Sequence, residues 1–145
     1  MLKGIPKTIS PDLMHTLMSM GHGDEIVLAD GNFPAVTNAR RLVRADGLDV
    51  CSILEAVMKF LPLDQAFAED YAVVMAVVDK SAPAPPIWAD FQRLLERAEG
   101  KAIKLTQIER HAFYERASRA FAVVATSETA LYANLILKKG VVVPS

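Results

Sequence analysis

Eight consecutive residues, YAVVMAVV at 71–78, carry no charge and are dominated by valine and alanine. A strand with one face in water alternates apolar and polar side chains, so a run this uniform needs cover on both faces. That requirement implies a sheet with helices layered on each side. EIVLA at 25–29, FAVVAT at 121–126 and ANLILKKGVVV at 133–143 read as further strands. RRLVRADGLDV at 40–50 predicts a short strand and a turn at Asp46 and Gly47, and AIKLTQIER at 102–110 another strand.

Helical patterns fill the intervals. Ser10 can cap a helix, Pro11 fits its first turn, Asp12 suits its positive end and Gly21 can close it. Leu13, Met14, Leu17 and Met18 form its expected buried stripe. Val50, Ile53, Leu54, Val57, Met58 and Leu61 share a second helical face, and Ile87, Trp88, Phe91, Leu94 and Leu95 a third. HAFYERASRA at 111–120 reads as a short helix with its basic residues outward, Glu115 and Arg116 among the solvated ones. The proline-rich SAPAPP at 81–86 is a loop. Lys138 and Lys139 are expected to face solvent. Alternating helices and apolar strands predict an α/β layered fold with a largely parallel sheet, and residues 1–145 read as one domain.

Composition narrows the function classes. Sixteen basic residues against 17 acidic ones leave no excess for phosphate contacts, so no nucleic-acid partner is expected. No run approaches the roughly 20 apolar residues of a membrane helix. The opening MLKGIPKTIS lacks the apolar centre of a secretory signal. No membrane association and a cytoplasmic location follow as expectations. The lone Cys51 cannot form an intrachain disulfide and falls on the Val50–Ile53 helix as a packing residue.

In sheets of this kind ligands gather beyond the carboxyl ends of strands. Asp30 sits just beyond EIVLA, whereas His22 lies before that run, so the two need not share a site within one subunit. A histidine can donate or accept a proton near neutral pH, and an aspartate in a turn can orient a hydroxyl. On spacing alone, a helix stop at Gly21-His22-Gly23 and an Asp30 bonded to its own turn are the stronger reading. His15, His22, Asp24 and Asp30 are the candidate metal ligands, but they lack the close histidine pair of zinc sites. Arg110 stands at a strand-to-helix junction, where a guanidinium can fork onto a hydroxyl pair or a carboxylate. Tyr132 and Asn134 flank a small residue ahead of an apolar strand. No GxGxxG, Walker loop, GxSxG or CxxC is present.

LKGIP with ISPDLM, MGHGDEIVLADGNFP, RADGLDV, FYERASRAFAVVATSE and LYANLILKKG together resemble the family of fucose mutarotases and ribose pyranases, over nearly the whole chain. The resemblance implies a mixed, mainly parallel sheet flanked by helices. It also implies a ring-shaped homo-oligomer, a decamer, with sites near subunit contacts. The implied activity is that of an isomerase without organic cofactor or metal: exchange of α and β anomers of L-fucose or a related monosaccharide. The family's proton donor falls on His22 and its sugar-binding aspartate on Asp30. Its basic ligand contact falls on Arg110 and its final sugar-binding segment on Tyr132, Ala133 and Asn134. Ala133 stands where the fucose branch carries glycine, and Arg110 where the pyranase branch carries histidine. The alternatives are a ribose-type pyranase and a non-catalytic sugar-binding accessory to monosaccharide uptake.

Overall fold

Six apolar segments pair into one sheet. In the computed structural model, which describes residues 1–145, the strands are β1 (Glu25–Ala29), β2 (Leu42–Ala45), β3 (Ala72–Met75), β4 (Thr106–Ile108), β5 (Ala122–Thr126) and β6 (Leu135–Lys138). Their order is β2-β5-β1-β6-β3-β4. β1 and β2 run parallel to β5, and β3 runs parallel to β4. β6 lies between β1 and β3 and is antiparallel to both. The sheet is mixed and mainly parallel, with its one reversed strand in the middle. The register sets Leu135, the first residue of β6, opposite Leu28 and Val74. Residues just before β6 therefore emerge among the carboxyl ends of the other strands.

The strand period of two divides the core. Ile26, Leu28, Val124, Leu135 and Leu137 pack with α1 (Pro11–Ser19), α3 (Val50–Val57) and α4 (Ile87–Glu99). Val27, Ala29, Val73, Val123 and Ile136 pack with α2 (Ala35–Asn38) and α5 (Arg110–Arg119). All ten strand residues are fully buried, each larger one contributing about 1.5–3 kcal/mol. Local chemistry sets the helix starts. Ser10 Oγ accepts the Leu13 N–H at 3.0 Å, and Asp49 Oδ1 accepts that of Ser52 at 2.8 Å. Glu109 accepts the N–H groups of His111 and Ala112, and the His111 bond leads in holding its carboxyl below the usual value.

Several expectations need correction. The 71–78 and 102–110 runs contribute shorter strands, because only Ala72–Met75 and Thr106–Ile108 find partners. Val141, Val142 and Val143 lie beyond β6 and are exposed. The short α2 follows the turn after β1 without a periodic signal. Met18 is exposed and Met14 only half-buried, because the buried stripe of α1 runs Leu13, Thr16, Leu17, Met20, the i, i+3, i+4, i+7 row. Gly23, at φ +86°, rather than Gly21, takes the left-handed position after that helix. Lys138 and Lys139 are half-buried.

Arg116 does not face solvent. Its side chain is 14% exposed, and its guanidinium forks onto Glu25 at 3.0 and 3.1 Å and reaches Asp70 Oδ2 at 2.6 Å. One residue thus ties α5 to the start of β1 and to the approach to β3, across the amino edge of the sheet. Partial burial pushes the Asp70 carboxyl up, but the hydrogen bond and charge of Arg116 outweigh it and hold it below the usual value. A lowered carboxyl contributes stability at neutral pH that is lost as pH falls through its folded value. Arg116→Met should cost about 3 kcal/mol at pH 7 in urea unfolding. It should also flatten the loss of stability that the native protein shows on acidification from pH 5 to pH 3; an unchanged acid slope would remove the tie from the account.

Candidate functional site

Where β1, β3 and β4 end and β6 begins, the surface sinks into a cavity of about 310 Å³. Asp30, Arg110, Tyr132 and Asn134 give it polar groups, and Phe33, Met75, Val78 and Leu131 an apolar side. Four of the residues singled out in the sequence are thereby brought together. A polar cleft of about 440 Å³ adjoins it through Asn32, but its charged groups are engaged with each other or with backbone. Arg44 pairs with Asp46, and Glu128 accepts the N–H groups of Val50, Thr129 and Ala130.

Asp30 is buried at the carboxyl end of β1. Its N–H donates to Asn134 Oδ1 at 2.8 Å, and Asn134 Nδ2 donates back to Asp30 Oδ2 at 3.1 Å. Asp30 Oδ1 accepts the Asn32 N–H at 3.0 Å, the self-bonded turn that spacing favours. The turn leaves bonding capacity over: a carboxylate has about four acceptor positions, and the amide keeps a second N–H. The backbone beneath is fixed in turn. Thr126 Oγ1 donates to the Ala29 carbonyl at 2.7 Å, and the Gly31 N–H to that of Glu128 at 2.8 Å. A Cβ at Gly31 would stand 3.0 Å from that Glu128 oxygen, so the close approach favours glycine.

Arg110 opens α5 directly after β4. Tyr132 holds a left-handed backbone with φ +56°, so it does not continue the strand that Asn134 precedes. Ala133 is fully buried in the larger core and does not line the cavity, so its methyl acts as a spacer between the two polar neighbours. Cys51 packs half-buried against the same core, and burial leads in pushing its thiol up to about 11.

His22 lies at the other end of β1. Five strand residues separate the two ends by about 17 Å, beyond the reach of an imidazole within one chain. Its Nε2 stands 3.1 Å from Oδ1 of Asp64, and its ring centroid 5.2 Å from that of Phe67. The His22 side chain is 44% exposed, whereas that of Asp64 is 6% exposed. A carboxylate on Nε2 fixes that nitrogen as the donor and leaves Nδ1 to act outward. Asp64 escaped the sequence reading, since nothing near LPLD distinguishes it from a loop residue. The only available signal was non-local, because both loops are braced by the chain leaving β6. The Gly23 N–H donates to the Lys139 carbonyl at 2.8 Å, and the Asp64 N–H to that of Lys138 at 3.1 Å. The fold does not bring His15, His22, Asp24 and Asp30 together, and no three His, Cys, Asp or Glu side chains cluster as metal ligands.

The profile of the RbsD / FucU transport protein family matches residues 3–142. The chain belongs to this family. Among its RbsD / FucU relatives, the fucose mutarotase of Homo sapiens is 53% identical over 97% of this chain and 94% of its own. The crystal structure of the fucose mutarotase of Streptococcus pneumoniae in complex with L-fucose superposes with a TM-score of 0.92. It is 48% identical, covering 98% of this chain and 100% of that one. Bacillus subtilis RbsD complexed with D-ribose shares the fold, with a TM-score of 0.72 at 21% identity over 99% of this chain and 100% of that one. No helix of the chain is long and apolar enough to cross a membrane.

The reciprocal Asp30–Asn134 pair has a measurable consequence. Asn134→Ala leaves a buried N–H and a buried carboxylate oxygen unmet and should cost about 2 kcal/mol in urea unfolding. Asn134→Asp sets two carboxylates face to face in a buried position. That variant should gain stability relative to the native protein between pH 7 and pH 4, as one of them takes up a proton; a pH-independent difference would contradict the pairing.

Proposed function

We propose that this chain is a sugar mutarotase, an isomerase that exchanges the α and β anomers of L-fucose or a closely related monosaccharide. The observation that carries the reading is the near-full-length match, in sequence and fold, to a fucose mutarotase crystallised with L-fucose. The cavity supports it. Asp30 and Asn134 offer acceptors and a donor to ring hydroxyls, Arg110 a cation for a hydroxyl or a developing oxyanion, and Tyr132 a hydroxyl and a ring face. The side formed by Phe33, Met75, Val78 and Leu131 suits the methyl group that distinguishes a 6-deoxy sugar. Cytoplasmic residence accords with the single unpaired cysteine.

Anomer exchange breaks the C1–O5 bond as the anomeric hydroxyl loses a proton and the ring oxygen gains one. The aldehyde then rotates about C1–C2 and recloses. His22 is assigned one of these proton transfers, with Asp64 fixing its tautomer. The fold separates His22 from the cavity of its own chain, so in this reading a second copy supplies it. Such a contact joins opposite ends of the molecule, and repeated head-to-tail with a closing rotation it makes a ring. The ring-shaped homo-oligomer, a decamer, accords with that geometry. Apolar residues stand exposed near both ends: Phe67 beside His22, and Val78 and Leu131 at the cavity.

Exchange NMR on anomeric mixtures of L-fucose tests the activity. The protein should accelerate exchange, and His22→Ala should lower the gain by about 10²–10⁴. That variant leaves Asp64 without its partner, a cost of about 1–2 kcal/mol that the turn glycines do not offset. Co-assembly of His22→Ala with Asp30→Ala chains, each inactive alone, should restore about a quarter of the sites if two copies share each one. Acceleration without restoration would put the donor elsewhere, and no acceleration with any sugar would leave a binding accessory.

A further inference from the structure

Tyr132 is the one non-glycine residue with a positive φ, and a bulky side chain is disfavoured in that region by its own Cβ contacts. Two bonds converge on it. The Trp88 indole Nε1–H donates to the Tyr132 carbonyl at 3.0 Å, and the Tyr132 hydroxyl accepts the Val78 N–H at 3.3 Å. Val78 and Trp88 flank a single loop: the first follows β3, and the second sits in the opening turn of α4. Between them lie Pro83, Pro85 and Pro86, whose fixed φ angles limit the loop's freedom. The two ends of a stiffened loop therefore grip one residue, at its carbonyl and at its hydroxyl.

Trp88 is buried in the larger core and does not itself line the cavity. Tyr132 does line it, and two residues later Asn134 makes the pair with Asp30. We propose that Trp88 is a positioning residue for the sugar site: its indole N–H holds Tyr132 in the left-handed turn and so sets where Tyr132 and Asn134 meet the substrate. The inference rests on the mutarotase reading and deepens it. Loss of the donor lets the peptide after Tyr132 rotate toward the extended region, which swings the ring out of the cavity wall and frees Val78. Substrate positioning suffers while the proton-transfer group, at the far end of the sheet, is untouched. KM therefore rises more than kcat falls.

The chain has a single tryptophan, so replacing tryptophan throughout with benzothienylalanine changes this position alone. Sulfur then stands where the N–H was, with nearly the same shape. Trp88→Phe is the second variant, and Phe91→Leu, in the same helix and core, is the control for lost packing. In both Trp88 variants kcat/KM for L-fucose exchange should fall about tenfold, mainly through KM. Phe91→Leu should keep kcat/KM within about twofold while lowering Tm at least as much. Carbon-13 shifts of the Tyr132 Cα and carbonyl report the turn without catalysis and should move in the benzothienylalanine protein. Unchanged shifts, a native kcat/KM in that protein, or an equal loss in Phe91→Leu overturns the proposal. A native protein that accelerates no exchange overturns the mutarotase reading instead, and the Tyr132 shifts then decide the role of Trp88 in holding the turn.

Discussion

An antiparallel strand inserted between parallel ones brings its own beginning to their ends. Here that strand is β6, and the rest of the cavity depends on its reversal. Asn134 stands 104 positions from Asp30 in the chain, yet the two exchange hydrogen bonds because Leu135 pairs with Leu28. A sixth parallel strand in the same place would deliver Asn134 to the amino edge and leave Asp30 with only its own turn. The reversal also accounts for the burial of both groups. Polar side chains at this depth persist only when paired, and the register supplies each with the other.

The same strand braces the opposite edge. Beyond Lys138 the chain bonds to the loop carrying His22 and to the loop carrying Asp64. Gly140 is packed so closely that a Cβ would stand 2.7 Å from the Leu63 carbonyl oxygen, a distance no larger residue tolerates without movement. Both halves of the proposed chemistry, the sugar-binding cavity and the histidine with its carboxylate, are thus held by the two ends of one central strand. Leu135, Ile136 and Leu137 of that strand are fully buried, and the close packing around them holds each half in place.

Sequence periodicity was most informative where burial is one-sided or complete. The positions expected on one helical face in 50–61 and in 87–95 are all buried, although α3 ends at Val57 and Met58 and Leu61 lie past it, and EIVLA has the bounds of β1. It was least informative where partners decide: the 71–78 run is twice the length of β3 because a strand ends where pairing ends, not where hydrophobicity does. Arg116 looked like a solvated helix residue because its two carboxylates lie 91 and 46 positions away. Of the candidate site, Asp30 was legible as a turn beyond a strand and Arg110 as a residue at a junction. The union of Tyr132 and Asn134 with them was not, since it requires the strand order. Family resemblance pointed to the set; Asp64, which carries no local mark, stayed hidden until the fold set it beside His22.

The separation of the two ends bears on assembly as well as on chemistry. The proposed proton-transfer group, His22, lies some five strand residues from the cavity of its own chain, yet its loop is tightly braced and its carboxylate partner is buried. Burying Asp64 costs solvation that an exposed loop carboxylate would keep. An investment of that kind at an exposed edge makes physical sense when the edge is not exposed in the working molecule. In the proposed head-to-tail contact Phe67, Val78 and Leu131 leave water together, and His22 gains a low-dielectric setting in which a positioned proton donor acts more strongly. Because the contact joins unlike surfaces, each copy can give its histidine to one neighbour while taking one from another. No site is then left incomplete once the ring has closed.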